Sequence, residues 1–496
     1  MRYGPDNLGL AYPGTGRYSN LMRLLTGGRA DKKVVLLTAT PVNNTIWDFY
    51  YQVLLMTKGR EDAYSAYGIP SLKSFFTGVS KGNQEFYDLI EHSMVRRSRR
   101  DVRRRQEQGE AVIIGGQEIR FPKRKLHRVE YSLTDQFGDF YQGLVGRIES
   151  LRLVAYNLER YKVDADATEV NKREALTGIF KTNFLKRLES SVHALSSSIA
   201  NQRRFQERFY EQFRQGRLLD AGTNRKIEQV LRLAAAEDDS ESSGKQEGKQ
   251  DKLLESLPEV KALEYDVSRM EKDIQEDLNA LKWMEAAIKD LLVSRGTGGE
   301  QDAKVAAIKQ SLVERAAQQG HRKAIIFSYY HDTAEYIYRA LVNDPAFMVA
   351  MNLTPERVAF LSGSSSGETR SNVVRRFAPH SNRRSEDDDQ MYQRLLDEPI
   401  DLLISTDVLS EGQNLQDAGY LLNADLHWNP VRMIQRAGRI DRLGSQFEEL
   451  EISNVFPEEG LEDVLGLVER LQIRIAQNLH LYRETKSAPR AEILEV

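Results

Sequence analysis

The sequence predicts an α/β protein: a parallel-sheet lobe with helices on both faces, joined to a long, coiled-coil-like α-helical insertion. Three observations carry this. From His321 onward, short apolar runs bounded by turn residues alternate with helical patterns, as parallel sheets require. Between about Leu133 and Leu292, apolar residues recur at spacings of three and four. A single strand–turn–helix string, KKVVLLTATPVNNTIWDFYYQVLLM (Lys32 to Met56), stands before both.

Along the chain, Val34 to Leu37 reads as a short buried strand. A polar turn follows, broken by Pro41, and then a helix capped near Asn43 or Asn44. This resembles the end of an α/β lobe rather than a whole one. In the helical stretch, Leu176, Ile179, Phe180, Phe184, Leu188, Val192, Leu195 and Ile199 form one stripe. Val260, Leu263, Val267, Met270, Ile274, Leu278 and Leu281 form another, close to a heptad seam. The tract between them, Glu237 to Asp251, is too polar to fold and reads as a mobile loop. A helical hairpin follows, which could touch DNA or a partner, or serve as a spacer packed on the lobe.

After His321, KAIIFS is a buried strand, and Asp332 with Glu335 opens the helix running to Leu341. VAFLSG is a strand followed by a helix from about Glu368 to Phe377, and DLLIST and YLLNAD are two more strands. Asn429-Pro430 starts a helix, with Pro where its missing N–H costs nothing. LEISNVF adds a last strand before a C-terminal helix. The resulting divisions are 1–91, a lobe remnant; 92–130, a basic linker; 131–320, the helical insertion; 321–480, the α/β lobe; and 481–496, a tail.

The 496 residues carry a net charge of −3, which argues against wholesale coating of nucleic acid. Charge is segregated, however: His92 to Arg128 holds twelve Lys/Arg against four Asp/Glu. No apolar run reaches the roughly 18 residues of a membrane span, and Met1 to Gly14 does not read as a signal peptide. With no cysteine, thiolate metal sites are excluded, and a cytoplasmic location is the expectation. Eight scattered histidines without ligand spacing give no metal site.

The strongest string is QRAGRIDR, Gln435 to Arg442. Arg439 and Arg442 are one helical turn apart and can point the same way if the helix persists. Two guanidinium forks converging on one spot suit a polyphosphate. Upstream, Ser405 to Leu415 (STDVLSEGQNL) lies at the carboxyl end of a strand, where ligands of open parallel sheets bind. Another strand ends in Leu361 to Gly367 (LSGSSSG), just before a helix whose N-terminus could hold a phosphate.

Together these strings resemble the Swi/Snf-type superfamily-two helicases. Thr38-Ala39-Thr40-Pro41 is similar to motif III, Ala324 to Ser328 to motif IV, Ser405 to Leu415 to motif V, and Gln435 to Arg442 to motif VI. Leu361-Ser362-Gly363 with Arg370 is similar to the intervening block, and VRRSRRDV (Val95 to Val102) with Phe121-Pro122-Lys123 to the segment tying the two lobes. The nearest branch is the bacterial one containing the RNA-polymerase-recycling ATPase. The match covers about residues 30–130 and 321–475, with the helical middle as an insertion.

The resemblance implies RecA-like lobes and assigns roles. Arg439 and Arg442, with Gln435, would face the ATP γ-phosphate. Gly412, Gln413 and Asn414, with Asp407, would sit beside the nucleotide. Ser362, Gly363 and Thr406 would hold backbone phosphates of the tracking strand, and Thr38 and Thr40 would transmit nucleotide state to that track. Arg96 and Arg97, in the tract to Arg105, would contact either DNA phosphates or the other lobe. ATP and magnesium are the implied cofactors, double-stranded DNA and an N-terminal RecA-like lobe the implied partners.

The departure from the family is the lack of any G-x-x-x-x-G-K-[ST] loop or Asp-Glu-x-His box. Both precede motif III in the family, so the expectation is a C-terminal portion of a larger or split DNA translocase, inactive alone. The alternative is a non-catalytic DNA-binding or regulatory module that kept the lobe.

Overall fold

The computed structural model describes residues 17–27, 32–38, 46–81, 83, 86–95, 102, 104, 108–114, 117–118, 121–132, 135, 137, 140–164, 167–216, 265–294, 302–319, 323–384, 387–409, 412–427, 430–442 and 445–457. The chain divides into two compact units, residues 1–119 with 429–434 and 469–496, and residues 120–428 with 435–468.

In the first unit the described elements are helices α1 (Arg17–Thr26), α2 (Ile46–Met56), α3 (Leu72–Ser80) and α4 (Tyr87–Ser93), with a two-stranded antiparallel hairpin, β1 (Ile113–Ile114) and β2 (Gln117–Glu118). Phe49, Tyr50, Val53, Leu72, Phe75, Phe76, Phe86 and Leu89 form its core. Aromatic rings meet edge to face there, Phe49 against Phe86 at 5.4 Å, the geometry their quadrupoles favour.

The buried strand expected at Val34 to Leu37 is not formed. Residues 32–38 have no regular structure, with Val35 79% and Leu37 95% exposed. An apolar run becomes a buried strand only between hydrogen-bonded neighbours, and no described strand pairs with this one. The helix cap expected at Asn43 or Asn44 lies outside the described residues, as do the loop 237–251, the helix after LEISNVF and the tail 481–496.

The second unit is built on a six-stranded sheet of β3 (Lys123–Tyr131), β4 (Ala324–Phe327), β5 (Val358–Leu361), β6 (Leu402–Ser405), β7 (Tyr420–Asn423) and β8 (Glu449–Pro457). The order is β3-β8-β7-β4-β6-β5 and every pairing is parallel. β4, β6 and β7 are buried along their whole length, because helices cover both faces. On one face Ile325, Phe327, Leu403 and Leu421 pack with Val374, Phe377, Ala437 and Ile440.

Residues 123–130, read from sequence as the end of a linker, belong to this sheet. β3 runs in register with β8 from Lys123 opposite Glu449 to Tyr131 opposite Pro457. It is an edge strand among the described residues, and its largely charged sequence (KRKLHRVEY), in which Arg124 is buried against Asp441, hides the strand from any hydrophobic pattern.

Among the described residues between β3 and β4 lie five α-helices, α5 (Phe140–Ser150), α6 (Ala167–Ser190), α7 (Val192–Arg214), α8 (Val267–Ser294) and α9 (Ala303–Gln319). The stripe spanning Phe184 to Ile199 is interrupted at Ser191, whose hydroxyl accepts the Ala194 N–H and caps α7. α7 and α8 pair antiparallel. The Tyr210 hydroxyl reaches Glu271 at 2.9 Å while Arg203, earlier on α7, reaches Glu285, later on α8, at 2.7 Å.

The lobe is completed by α10 (His331–Val342), α11 (Pro345–Met351), α12 (Gly367–Phe377), α13 (Asp389–Asp397) and α14 (Pro430–Ile440). α10 starts at His331 without the side-chain cap expected from Asp332.

Candidate functional site

Parallel strands place all their carboxyl ends on one sheet edge, and here the ladder runs one residue past them. Ser328 N–H donates to Ser405 O at 3.1 Å, Thr406 N–H to Leu361 O at 3.1 Å, and Ala424 N–H to Phe327 O at 2.8 Å. The loops after β4, β5, β6 and β7 are therefore fixed side by side, where open α/β sheets bind ligands.

The turn after β5 is tied to itself. The Ser362 N–H donates to Ser365 Oγ at 3.1 Å, the Ser362 and Ser364 hydroxyls pair at 2.9 Å, and Arg370 Nη2 donates to Ser365 O at 3.2 Å. Ser366 caps α12. Ser362 is 2% and Thr406 6% exposed, whereas Gly363 and Ser364 face solvent. Ser362 and Thr406 thus shape this edge, and Gly363 with Ser364 presents it.

The loop after β6 carries Gly412 at φ +77°, a left-handed conformation that a β-carbon disfavours. It leads to Gln413 and Asn414, braced from below: Asn382 Nδ2 donates to Asn414 O at 2.8 Å and Asn414 Nδ2 to Ser381 O at 3.3 Å. Asp417 holds the same turn through the N–H groups of His380 and Ser381.

α14 delivers the arginines. Arg439 Nε donates to Gln435 O at 3.1 Å and its Nη1 to Gln413 O at 3.4 Å. The helix ends at Ile440, so Arg442 lies past it, yet its Nη1 donates to Asn414 Oδ1 and its Nε to Gly438 O at 3.2 Å. The two arginines thus reach consecutive residues of one loop. Burial lowers the Arg442 guanidinium from its ordinary range, a cost that a bound anion would relieve.

Two residues that the sequence reading passed over hold this arrangement. Arg436 is fully buried; its Nε donates to Asp407 Oδ1 at 2.6 Å, and its Nη1 to Asn423 Oδ1 at 3.2 Å and Asp425 O at 3.3 Å. Burial pulls its pKa down, but the Asp407 carboxylate, together with Asp425 and Tyr329, makes the net shift upward. Asp407, expected beside the nucleotide, is therefore engaged by Arg436 inside the lobe. Asp441 is also fully buried and receives Arg124 Nε of β3 at 2.5 Å. The available signal was spacing: Arg436 falls on the buried stripe of α14 with Met433 and Ile440, where an arginine requires an acid.

The structure thus gathers Ser362, Gly363, Thr406, Asp407, Gly412, Gln413, Asn414, Gln435, Arg439 and Arg442 at one sheet edge. Thr38 is exposed and belongs to the other unit. Thr40, Arg96 and Arg97 lie outside the described residues. Among the described residues no three His, Asp or Glu could jointly hold a metal ion, and no helix is long and apolar enough to cross a membrane.

Residues 303–444, which hold most of this parallel sheet and the arginine helix, match the helicase conserved C-terminal domain family. The chain thus carries a helicase C-terminal domain, as the resemblance to Swi/Snf-type helicases leads one to expect. It is 42% identical over 64 residues to the uncharacterized ATP-dependent helicase YqhH of Bacillus subtilis (strain 168), covering 13% of this chain and 11% of that protein. It is 38% identical over 65 residues to the RNA polymerase-associated protein RapA of Serratia proteamaculans (strain 568), covering 13% of this chain and 7% of that protein. Each match therefore spans only about a tenth of the relative.

Among solved structures, the C-terminal part of the Fun30 ATPase domain aligns at TM-score 0.35 and 15% identity, covering 70% of this chain and 89% of that one. The Pyrococcus furiosus Hef helicase domain aligns at TM-score 0.31 and 15% identity, covering 71% and 58%.

Proposed function

We propose that this chain is the C-terminal portion of an ATP-dependent, Swi/Snf-like DNA translocase, to which it supplies the arginine fingers and part of the DNA track. The observation that carries this reading is the reach of Arg439 and Arg442 to consecutive residues, Gln413 and Asn414, of one loop at the strand ends. A DNA clamp without ATP chemistry has no use for such a pair.

The donors at this edge fit a polyphosphate: two half-buried guanidinium forks beside a glycine whose added β-carbon would meet nothing within 4 Å. Bound ATP with its magnesium would supply the scissile phosphate bond, and its principal ligands would come from an N-terminal RecA-like lobe, in a longer protein or a separate chain. Arg439 and Arg442 would stabilise charge on the transferring phosphoryl group, a contribution of about 10³ to 10⁵ in rate for such fingers. Gln435 would lie beside them. Gly412, Gln413 and Asn414 would link the nucleotide to the track. Gly363 and Ser364 would meet the DNA backbone, with Ser362 and Thr406 holding them in place; Thr38 and Thr40 would transmit nucleotide state to the track, and Arg96 and Arg97 would contact DNA phosphates. Each phosphate contact would contribute about −0.9 to the salt slope on duplex DNA.

DNA-stimulated ATP hydrolysis tests the reading. The chain alone should show none, and a lobe carrying a G-x-x-x-x-G-K-[ST] loop and an Asp-Glu box should restore it on mixing. Arg442→Ala in the mixture should chiefly lower kcat. Brisk turnover by the pure chain would overturn the proposal.

A further inference from the structure

One buried carboxylate joins the helical insertion to the arginine helix. Asp425, just past β7, is 2% exposed. Its Oδ2 accepts from Ser328 Oγ at 2.6 Å and from Ser190 Oγ, at the end of α6, at 3.0 Å. Its Oδ1 accepts from the Tyr329 N–H at 2.7 Å, and its backbone carbonyl accepts from Arg436 Nη1 at 3.3 Å. The next residue is held from the same helix: Lys186 Nζ donates to Leu426 O at 3.1 Å and pairs with Glu189 at 3.1 Å.

The α6 end is itself fastened on every side. The Ser190 and Ser191 hydroxyls each lie 2.7 Å from Thr333 Oγ1 of α10. Lys304 of α9, 3% exposed, donates to the carbonyls of Glu189 and Ser190 at 3.0 and 2.9 Å. Burying two lysines and two acids in one seam is costly compared with an apolar join of equal size. What such a seam adds is geometry: every displacement leaves a buried donor or acceptor unpaired.

We propose that Asp425 is a positioning residue through which the helical insertion sets the placement of Arg436, and through it of Arg439 and Arg442. The strand-end loop at Ser328, the insertion at Lys186 and Ser190, and the arginine helix at Arg436 all meet at residues 425 and 426. A load on the hairpin of α7 and α8 that shifts the end of α6 is thereby transmitted to the carbonyl that fixes Arg436. The consequence for turnover rests on the function proposed above; the coupling itself does not.

Amide hydrogen exchange on the full chain tests the coupling without nucleotide. Ser190→Ala and Lys186→Gln each remove one side of the junction from the insertion. Each should speed exchange several-fold in residues 424–427 and 435–442, while Val358–Leu361, in the same sheet but outside the junction, keeps its wild-type rate. Ser190→Thr, which keeps the hydroxyl, should restore slow exchange at 435–442. Unchanged exchange at 435–442 in both variants, or an equal rise across the sheet, would overturn the proposal. In the reconstituted ATPase, Ser190→Ala should lower kcat with KM for ATP unchanged. If exchange responds and no ATPase can be reconstituted, the coupling stands and the motor reading fails.

Discussion

Arg124 and Asp441 are 317 positions apart in the chain, yet their side chains meet at 2.5 Å with 8% and 0% of their surface exposed. The pair fastens β3 to the residue between the end of α14 and Arg442. A strand that the sequence hides among charges thus holds the second of the two arginines proposed to face the nucleotide.

Truncating Arg124 takes a charge-assisted hydrogen bond from the fully buried Asp441 carboxylate. Arg124→Ala should therefore lower stability by about 3–5 kcal/mol in urea unfolding. Replacing both residues by Met and Leu should recover most of the loss. A double variant no better than the single one would show that the pair is not coupled.

Arg436 spreads its guanidinium over Asp407, Asn423 and Asp425. Lysine keeps the charge but has no planar fork, so Arg436→Lys should cost about 1–3 kcal/mol through lost hydrogen bonds. Unfolding that matches wild type would mean that charge alone is needed there.

At Gly412 the constraint is backbone and not space, since φ is +77° and an added β-carbon meets nothing within 4 Å. Gly412→Ala should cost about 1–2 kcal/mol, and Gly412→Asn less, because asparagine tolerates the left-handed region. Equal losses for both would point to a steric cause instead.

Asp277 of α8 predicts a pH dependence. It is 2% exposed and accepts the Arg152 and Leu153 N–H groups at 2.7 Å each, holding Leu153 at φ +53°. Burial pushes its pKa up from 3.8 to about 6 against those two hydrogen bonds. The folded state then binds the proton more tightly than the unfolded chain. This group's contribution is greatest below its ordinary range and declines as pH rises through about 6, by on the order of 3 kcal/mol. Stability of wild type minus Asp277→Asn, followed from about pH 4 to pH 7, should fall accordingly. A difference constant with pH would refute the assignment.

The α/β lobe was legible because a parallel strand covered on both faces must be apolar throughout. AIIF, VAFL, LLIS and YLLN satisfy that locally, and each is a strand where its run stands. Spacing drew attention to Arg439 and Arg442, although the helix ends at Ile440 and Arg442 reaches the same loop from beyond it. The apolar run at Val34 to Leu37 satisfies the same local rule and forms no strand, because burial needs neighbours that local sequence does not supply. The tertiary structure alone decided that Lys123–Tyr131 is an edge strand, that Arg436 is buried on Asp407, and that Asp425 joins three segments. Each of these depends on a partner tens to hundreds of positions away. A charge or an edge strand is stabilised by what folding brings beside it, and that neighbour leaves no periodicity in the sequence.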